Sequence, residues 1–272
     1  MANTLQNRYA SLVLAKLRAG LITQDNYIFN NTYEGDPKAG MVKIPVRDTE
    51  VTVGDYDKAT GLTGTSSSTT YMDLEIDNDK AVNEIIDGYD ALAVPDGIVA
   101  ERLDSAGYSM GLTIDTQSID LLQTIGTAST DTAASTDENV YTKIVAARTV
   151  LSKNHVPAQG RWLIVSPEIY GLLLLSKEFI KQGDISQELV AIGAIGQVAG
   201  FVVFEASSLD EDVEFIAGHP NWCHRVMDWK VAPYLQDLNG DANYVGASAV
   251  KGRMVYGMDI SRPTTVYVKK VV

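Results

Sequence analysis

The chain has few of the residues on which most catalytic and redox sites depend. It holds three histidines and one cysteine, Cys223, among 272 residues. A single cysteine excludes an internal disulfide bond and is typical of a protein in a reducing compartment. No apolar run reaches the roughly 18 residues that a membrane-spanning helix needs. We therefore expect a protein that is made and used in the cytosol, with no membrane partner.

Basic residues are also scarce relative to acidic ones. The 22 lysines and arginines face 35 aspartates and glutamates, for a formal net charge of −13. This excess argues against binding nucleic acid over the whole surface. The distribution is uneven, since residues 1–20 hold three bases and no acid, whereas residues 73–90 hold seven acids and one lysine. We interpret the asymmetry as two surfaces with different neighbours, and solvated chain ends as the simpler alternative.

Two segments alternate apolar and polar residues with the period of a β-strand. They are residues 41–56 and residues 71–77, and such alternation predicts strands with one covered face. The connection TGLTGTSSSTT, residues 60–70, is rich in glycine, serine and threonine, which is typical of a flexible turn. We therefore predict a long hairpin. Because so long a hairpin cannot bury both faces against its own domain, we expect it to lie on something else.

Helical periodicity begins after the hairpin. Residues 95–124 predict a long helix, because Pro95 and Asp96 are typical of a first turn and apolar residues then recur at steps of three and four. Ser135 and Glu138 have the spacing of a capping box before a second amphipathic helix. Shorter elements are predicted beyond it: a buried strand at 162–165, a helix capped by Ser166, strands at 201–204 and 215–217, and two final strands separated by Arg262 and Pro263.

An acidic segment has the carboxylate spacing of a calcium loop. In DLEIDNDKAVNE, residues 73–84, acids occupy the first, third, fifth, seventh and twelfth positions. However, Asn78 stands at the sixth position, where the sharp turn needs glycine, and Lys80 stands at the normally apolar eighth. The apolar residues alternate as in a strand. We favour a charged strand face and keep a calcium-dependent binding module as an alternative from another class.

The remaining reactive groups form no plausible site. Cys223 and His224 are adjacent and cannot readily face one another as a nucleophile and its base must, and His219 adds no complete metal-ligand set. The glycines of GAIGQVAG, residues 193–200, fit neither a dinucleotide fingerprint nor a phosphate loop. The sequence thus predicts no catalytic, cofactor-binding or metal site, and we do not expect an enzyme.

The order of these patterns resembles the major capsid proteins of tailed bacteriophages, which have the Hong Kong 97-type fold. VPAQGRWLIVSPEIYGLLL (156–174), GAIGQVAGFVVFEASSL (193–209) and FIAGHPN (215–221) are similar to their axial domain. VKIPVRDTEVTVGDYDKATG (42–61) is similar to the start of their extended loop. The resemblance covers nearly the whole chain in order, and its axial motifs are more specific than its hairpin.

The resemblance implies an α+β fold with five parts. These are an amino-terminal arm at 1–40, an extended β-hairpin loop at 41–80, a peripheral domain with a long spine helix at 81–130, an axial domain at 131–250, and carboxy-terminal strands at 251–272 that return to the peripheral domain.

The resemblance also implies a function. It indicates a subunit that self-assembles into hexamers and pentamers of an icosahedral head, enclosing double-stranded DNA in the virion after assembly in the host bacterial cytoplasm. Further implied partners are a portal, non-specifically packaged DNA and a decoration protein. Because only about 40 residues precede the hairpin, we expect a separate scaffolding protein. An encapsulin, the shell of a nanocompartment with an enzyme cargo, is the alternative within the same fold.

Two sets of residues are candidates for the work of such a shell. For an inner face toward DNA, the candidate bases are Arg8, Lys16, Arg18, Lys269 and Lys270. For the tip of the extended loop, the candidate contacts are Lys58, Thr60, Thr63 and Ser66. Certain relatives join subunits through a Lys–Asn isopeptide bond. Lys58 is the one placed candidate and no acceptor is evident, so we expect no cross-linking.

Overall fold

The computed structural model describes residues 18, 20–23, 26–32, 40–46, 51, 53–64, 69–93, 98–175, 180–181, 195–240 and 243–271. The bases Arg8 and Lys16 of the predicted amino-terminal arm lie outside the described residues. The strands are β1 Met41–Val46, β2 Thr70–Glu75, β3 Asn78–Asp87, β4 Thr127–Ala128, β5 Trp162–Val165, β6 Ile180–Lys181, β7 Gly196–Val198, β8 Phe201–Glu205, β9 Val213–Gly218, β10 Cys223–Asp237, β11 Ala247–Ile260 and β12 Tyr267–Lys270.

Four α-helices lie between these strands in the described part of the chain. They are α1 Gly88–Ala93, α2 Ile98–Ile125, α3 Val140–Lys153 and α4 Pro167–Leu175. The long helix predicted over 95–124 corresponds to α2. Within the described ranges, no helix has both the length and the apolar character that crossing a bilayer requires.

A seven-stranded sheet in the order β4-β12-β9-β5-β8-β7-β6 forms the larger half of the fold. At its centre, β5 pairs parallel with β8 and antiparallel with β9. All four β5 residues are buried, because Trp162 and Ile164 enter one core and Leu163 and Val165 enter another on the opposite face. Burial on both faces explains the continuous apolar run WLIV and confirms the predicted strand.

The helix α3 covers one face of this sheet with an apolar stripe. Val140, Ile144, Ala147 and Leu151 are all buried, which confirms the predicted amphipathic helix. The predicted capping box was wrong, because the N-cap residue of α3 makes no side-chain cap hydrogen bond. The hydroxyl of Ser135 instead donates to the Glu214 carboxylate on β9 at 2.5 Å. A distant partner therefore replaces the local one.

A three-stranded antiparallel sheet, β10-β11-β3, carries α2 on one face. Met110 and Ile114 of α2 pack there against Met254 and Tyr256 of β11. The sequence patterns did not predict β10. Its alternation is interrupted by two register shifts against β11, one of them beside Pro233, and irregularities of this kind hide a strand from period-two analysis.

The final strand lies in the seven-stranded sheet. β12 pairs antiparallel with β9 and parallel with β4. Val268 shares a core with Ile119 and Leu122 of α2, so the strand also meets the long helix, and the division of the chain into domains stays a prediction. A 3-10 turn at Pro263–Thr265 separates β11 from β12, and Tyr267 and Val268 find burial in the larger sheet.

The base of the β1–β2 hairpin packs on its own chain. β1 and β2 are antiparallel, with Ile44 opposite Met72. Ile44 and Leu74 are 1% and 0% exposed and contact Val226 of β10. Gly257 of β11 allows this contact, since a Cβ there would lie 2.2 Å from the Glu75 carbonyl oxygen. The part of the hairpin that lacks cover from its own chain is therefore the tip.

Candidate assembly surfaces

The tip of the hairpin exposes several large apolar side chains. Val51, Val53, Tyr56 and Leu62 are 83%, 92%, 73% and 54% exposed. Single exposed apolar residues are common on protein surfaces, but a group of this size on one projecting segment is typical of an interaction surface. We call described residues 51–64 the hairpin tip.

A tight turn shapes the hairpin tip. The Asp57 carbonyl oxygen accepts a hydrogen bond from the Gly61 amide at 2.8 Å, and the Asp57 carboxylate accepts one from the Ala59 amide at 2.7 Å. Gly61 has φ of 70°, a conformation that costs glycine little. The predicted contact residues Lys58, Thr60 and Thr63 are exposed around this turn. Ser66 lies outside the described residues.

A groove of about 430 Å³ lies between α2 and the β10–β11 strands. We call it the methionine groove, since Met110, Met227 and Met254 line it. Methionine side chains adapt to partners of varied shape. The other lining residues are Asn31, Gly107, Gly111, Ile114, Arg225, Lys230, Ala232 and Pro233.

The methionine groove carries positive charge. Lys230 is exposed at its margin, whereas Arg225 is buried. The Arg225 guanidinium donates to Asn31 Oδ1 at 3.1 Å and lies 5.4 Å from the centre of the Phe29 ring. Among the described residues that line the groove, none is acidic. It therefore favours an apolar partner that carries negative charge.

The predicted inner-face bases differ in their surroundings. The guanidinium of Arg18 bonds the Asp104 carboxylate and lies 4.8 Å from the centre of the Tyr108 ring on α2. The Lys270 ammonium lies 3.7 Å from the Asp212 carboxylate. Both side chains keep about a third of their surface exposed, at 30% for Arg18 and 34% for Lys270.

Lys269 is a buried structural residue in this fold. Its side chain is 1% exposed. The ammonium donates to the carbonyl oxygens of Asp131 and Ala133 at 2.6 and 2.8 Å. Lys143 donates to the same Ala133 oxygen and to the Ala134 oxygen, so two lysines hold one loop. The expectation that Lys269 presents its charge to DNA does not fit this burial.

The acidic segment at 73–84 does not form one loop. Asp73 and Glu75 belong to β2, and Asp79 and Glu84 belong to β3, which lies in a different sheet. The Asp79 carboxylate is engaged by the Arg253 guanidinium, which lowers the pKa of Asp79 mainly through this hydrogen bond. Among the described residues, no group of three or more metal-ligating side chains comes together. The strand interpretation is confirmed.

His219, His224 and Cys223 have structural surroundings in this fold. Cys223 is fully buried, and burial raises the pKa of its thiol, so the thiolate is disfavoured. His219 Nδ1 accepts from the Asn221 amide at 3.2 Å, and its Nε2 lies 2.9 Å from the Gln159 carbonyl oxygen. His224 Nε2 lies 3.1 Å from the Ser261 hydroxyl. His219 and His224 thus have polar partners within the fold, and Cys223 is packed in the core.

Solved structures of similar fold come from phage and phage-like particles. A chain from Mycobacterium phage Che8 is 24% identical, with a TM-score of 0.76, covering 98% of this chain and 97% of that one. The capsid structure of cyanophage P-SCSP1u gives 15% identity and a TM-score of 0.77 over 98% and 93% of the two chains. The capsid of an empty GTA particle gives 10% identity and 0.70 over 98% and 95%. The chain has the Hong Kong 97-type capsid fold.

The family comparison identifies the chain more closely. The phage capsid protein family model matches residues 84–268, more than half of the sequence. The chain belongs to the phage capsid protein family and is a structural component of a virion. A comparison with curated protein sequences gives no significant match.

Sequence reasoning missed two features of these surfaces. It named polar residues of the hairpin tip and passed over Val51, Val53 and Tyr56, although apolar residues beside a polar turn were a usable signal. It did not find the methionine groove. Met110, Met227 and Met254 are far apart in sequence, and the packing of α2 on β10 and β11 brings them together.

Proposed function

We propose that the chain assembles into hexamers and pentamers of an icosahedral head that encloses double-stranded DNA. The observation that carries the proposal is the exposed apolar surface of the hairpin tip. Burying apolar surface contributes roughly 25 cal/mol per Å². Neighbouring copies that cover Val51, Val53 and Tyr56 would therefore gain stability that the isolated subunit lacks. Assembly in the host cytoplasm, a scaffolding protein, a portal and a decoration protein belong to this proposal as expectations.

The methionine groove is the surface we propose for the hairpin tip of a neighbouring copy. Its apolar lining suits Val53 and Tyr56, and its positive charge suits Asp55 and Asp57 of the tip. A contact between two different surfaces of the same chain is heterologous, and such contacts form rings when the rotation from one copy to the next closes. This is the geometry that hexamers and pentamers require.

For the face toward DNA, we propose Arg8, Lys16, Arg18 and Lys270, and we leave out the buried Lys269. Phosphate contacts by such bases are non-specific and weaken with salt. A variant with Arg8, Lys16 and Lys270 changed to glutamine should package a shorter genome or release it at lower salt. Wild-type genome length and salt sensitivity would contradict the inner-face assignment.

Electron microscopy of the expressed protein tests the assembly proposal. We expect uniform shells or capsomers, alone or with a co-expressed scaffolding protein. A dispersed monomer under both conditions would contradict it. Particles that contain an enzyme cargo in place of DNA would favour the encapsulin alternative.

A charge exchange tests the docking of the tip in the groove. Lys230→Glu places an acid at the groove, and Asp55→Lys places a base on the tip. Each single change should reduce assembly because it brings like charges together, and the double variant should restore it. Lys153→Glu is a control, since it makes the same charge change on exposed α3. Failure of the double variant to exceed either single variant would reject this pairing without rejecting shell formation.

A further inference from the structure

The turn between β10 and β11 contains the only asparagine in the sequence that is followed by glycine, Asn239-Gly240. Both residues are exposed. The position that a Cβ of Gly240 would occupy has no atom within 4 Å. Gly240 thus has no side chain to hinder its backbone nitrogen, and the described residues outside its immediate chain neighbours leave the Cβ position open.

The side-chain amide of Asn239 is held at both ends. Its Oδ1 accepts a hydrogen bond from the Gly246 amide at 2.8 Å, and its Nδ2 donates to Asp237 Oδ2 at 3.0 Å. The Asn239 backbone amide donates to Asp237 Oδ1 at 2.9 Å. A backbone N–H on Oδ1 withdraws electron density from Cγ, and it stabilises negative charge that develops on the oxygen when a nucleophile attacks.

We propose that Asn239 is a site of spontaneous modification through a succinimide. The Gly240 nitrogen forms a bond to Asn239 Cγ and gives up its proton. The bond from Cγ to Nδ2 breaks, and the nitrogen leaves as ammonia with that proton. Water then opens the ring at either carbonyl, which yields aspartate or isoaspartate. No oxidant, metal or second protein takes part.

The modification changes the turn in two ways. It adds a negative charge beside Asp237, so a hydrogen bond from Nδ2 becomes a repulsion between two carboxylates. The isoaspartate product also lengthens the backbone by one carbon. The turn is sensitive to both at its Gly246 end, which is closely packed, since a Cβ at Gly88 would lie 2.0 Å from the Gly246 carbonyl oxygen. The end of the β10–β11 hairpin therefore loosens as the protein ages.

Peptide mapping of the full-length protein tests the proposal. The protein is incubated for several weeks at neutral pH and physiological temperature in water enriched in oxygen-18, then digested and analysed by mass spectrometry. We expect Asn239 to convert faster than every other asparagine, with incorporation of the heavy oxygen and a mixture of aspartate and isoaspartate. An unmodified Asn239, while a synthetic converted peptide added to the digest is detected, overturns the proposal.

Two variants supply the controls. Gly240→Ala keeps Asn239 and fits the open space, but its Cβ hinders the nitrogen, so conversion should fall about tenfold. Conversion at the wild-type rate would overturn the succinimide route. Asn239→Asp carries the side chain of one of the two products. In this variant the amide proton of Gly246 should exchange with solvent faster than in the wild type, because the new carboxylate is repelled by Asp237. An equal exchange rate in the two proteins would contradict the loosening of the β10–β11 turn.

Discussion

The seven-stranded sheet and the hairpin tip bury their apolar residues in different ways. Trp162, Phe204 and Phe215 are fully buried within their own chain. Val53 and Tyr56 in the tip are 92% and 73% exposed. One region is a complete core, and the other is exposed and, in the proposed assembly, is covered by a neighbouring copy. Substitutions in the sheet should therefore act on folding, whereas substitutions in the hairpin tip should act on assembly.

The largest expected effect is in the sheet. Phe204→Ala removes a ring that packs 5.6 Å, centre to centre, from Tyr27. It should lower the free energy of unfolding by about 3–5 kcal/mol. Denaturant unfolding of the unassembled subunit measures this. Tyr89→Ala, at an exposed ring, is the control, and its change should stay within about 0.5 kcal/mol. Equal losses in the two variants would break the comparison.

A smaller loss is expected where the buried lysine holds its loop. Lys269→Met leaves the Asp131 carbonyl oxygen without its lysine donor and the Ala133 oxygen with Lys143 alone, and it should cost about 1–3 kcal/mol. Lys270→Met removes a partly exposed partner of Asp212 and should cost about 0–1 kcal/mol. Denaturant unfolding measures the loss of stability in each variant, and amide hydrogen exchange over residues 129–136 shows whether the loop held by Lys269 has loosened. A larger effect at Lys270 would contradict the structural role of Lys269.

The sheet should also lose stability on mild acidification. Burial is the main cause that lowers the pKa of His219, and Arg161 adds to it, while the hydrogen bond to the Gln159 carbonyl opposes it. His219 therefore takes up a proton at a higher pH in the unfolded chain than in the folded one. Its contribution to stability is complete above about pH 6.5 and is lost as the pH falls toward the pKa of the folded state.

Urea unfolding at successive pH values checks this expectation. His219→Gln should reduce the loss between about pH 7.5 and 5.5, with a remainder from His224, whose pKa burial also lowers, whereas His155→Asn, at an exposed position, should leave the loss unchanged. A wild-type subunit that gains stability on acidification in this range would show that the burial of His219 has been misjudged.

The predictions from sequence succeeded where the signal was local. The apolar stripe from Val140 to Leu151 and the continuous apolar run Trp162–Val165 each predict burial, because the signal lies within one element. The capsid resemblance rested in part on the second of these segments. The Ser166 hydroxyl accepts a hydrogen bond from the Ile169 amide at 3.4 Å, which confirms the predicted cap of α4.

They failed where a distant partner decides the outcome. The sequence around Ser135 predicts that its hydroxyl caps α3, but the hydroxyl bonds the Glu214 carboxylate, which is distant in sequence. From the sequence, Lys269 is expected to be an exposed base on a strand. Its burial is explained by its hydrogen bonds to the carbonyl oxygens of Asp131 and Ala133. β10 is obscured by its bulges. In the candidate surfaces, the methionine groove exists only after α2 has packed, so no sequence pattern contains it.

The central claim is that the hairpin tip serves assembly and not folding. The double variant Val53→Ser, Tyr56→Ser tests it most directly, with unfolding of the subunit and sedimentation of the particles measured on the same protein. We predict that the free energy of unfolding stays within about 0.5 kcal/mol of wild type, because both side chains are already exposed in the subunit, and that shells no longer form. Shells that form at the wild-type concentration from this variant would contradict the account.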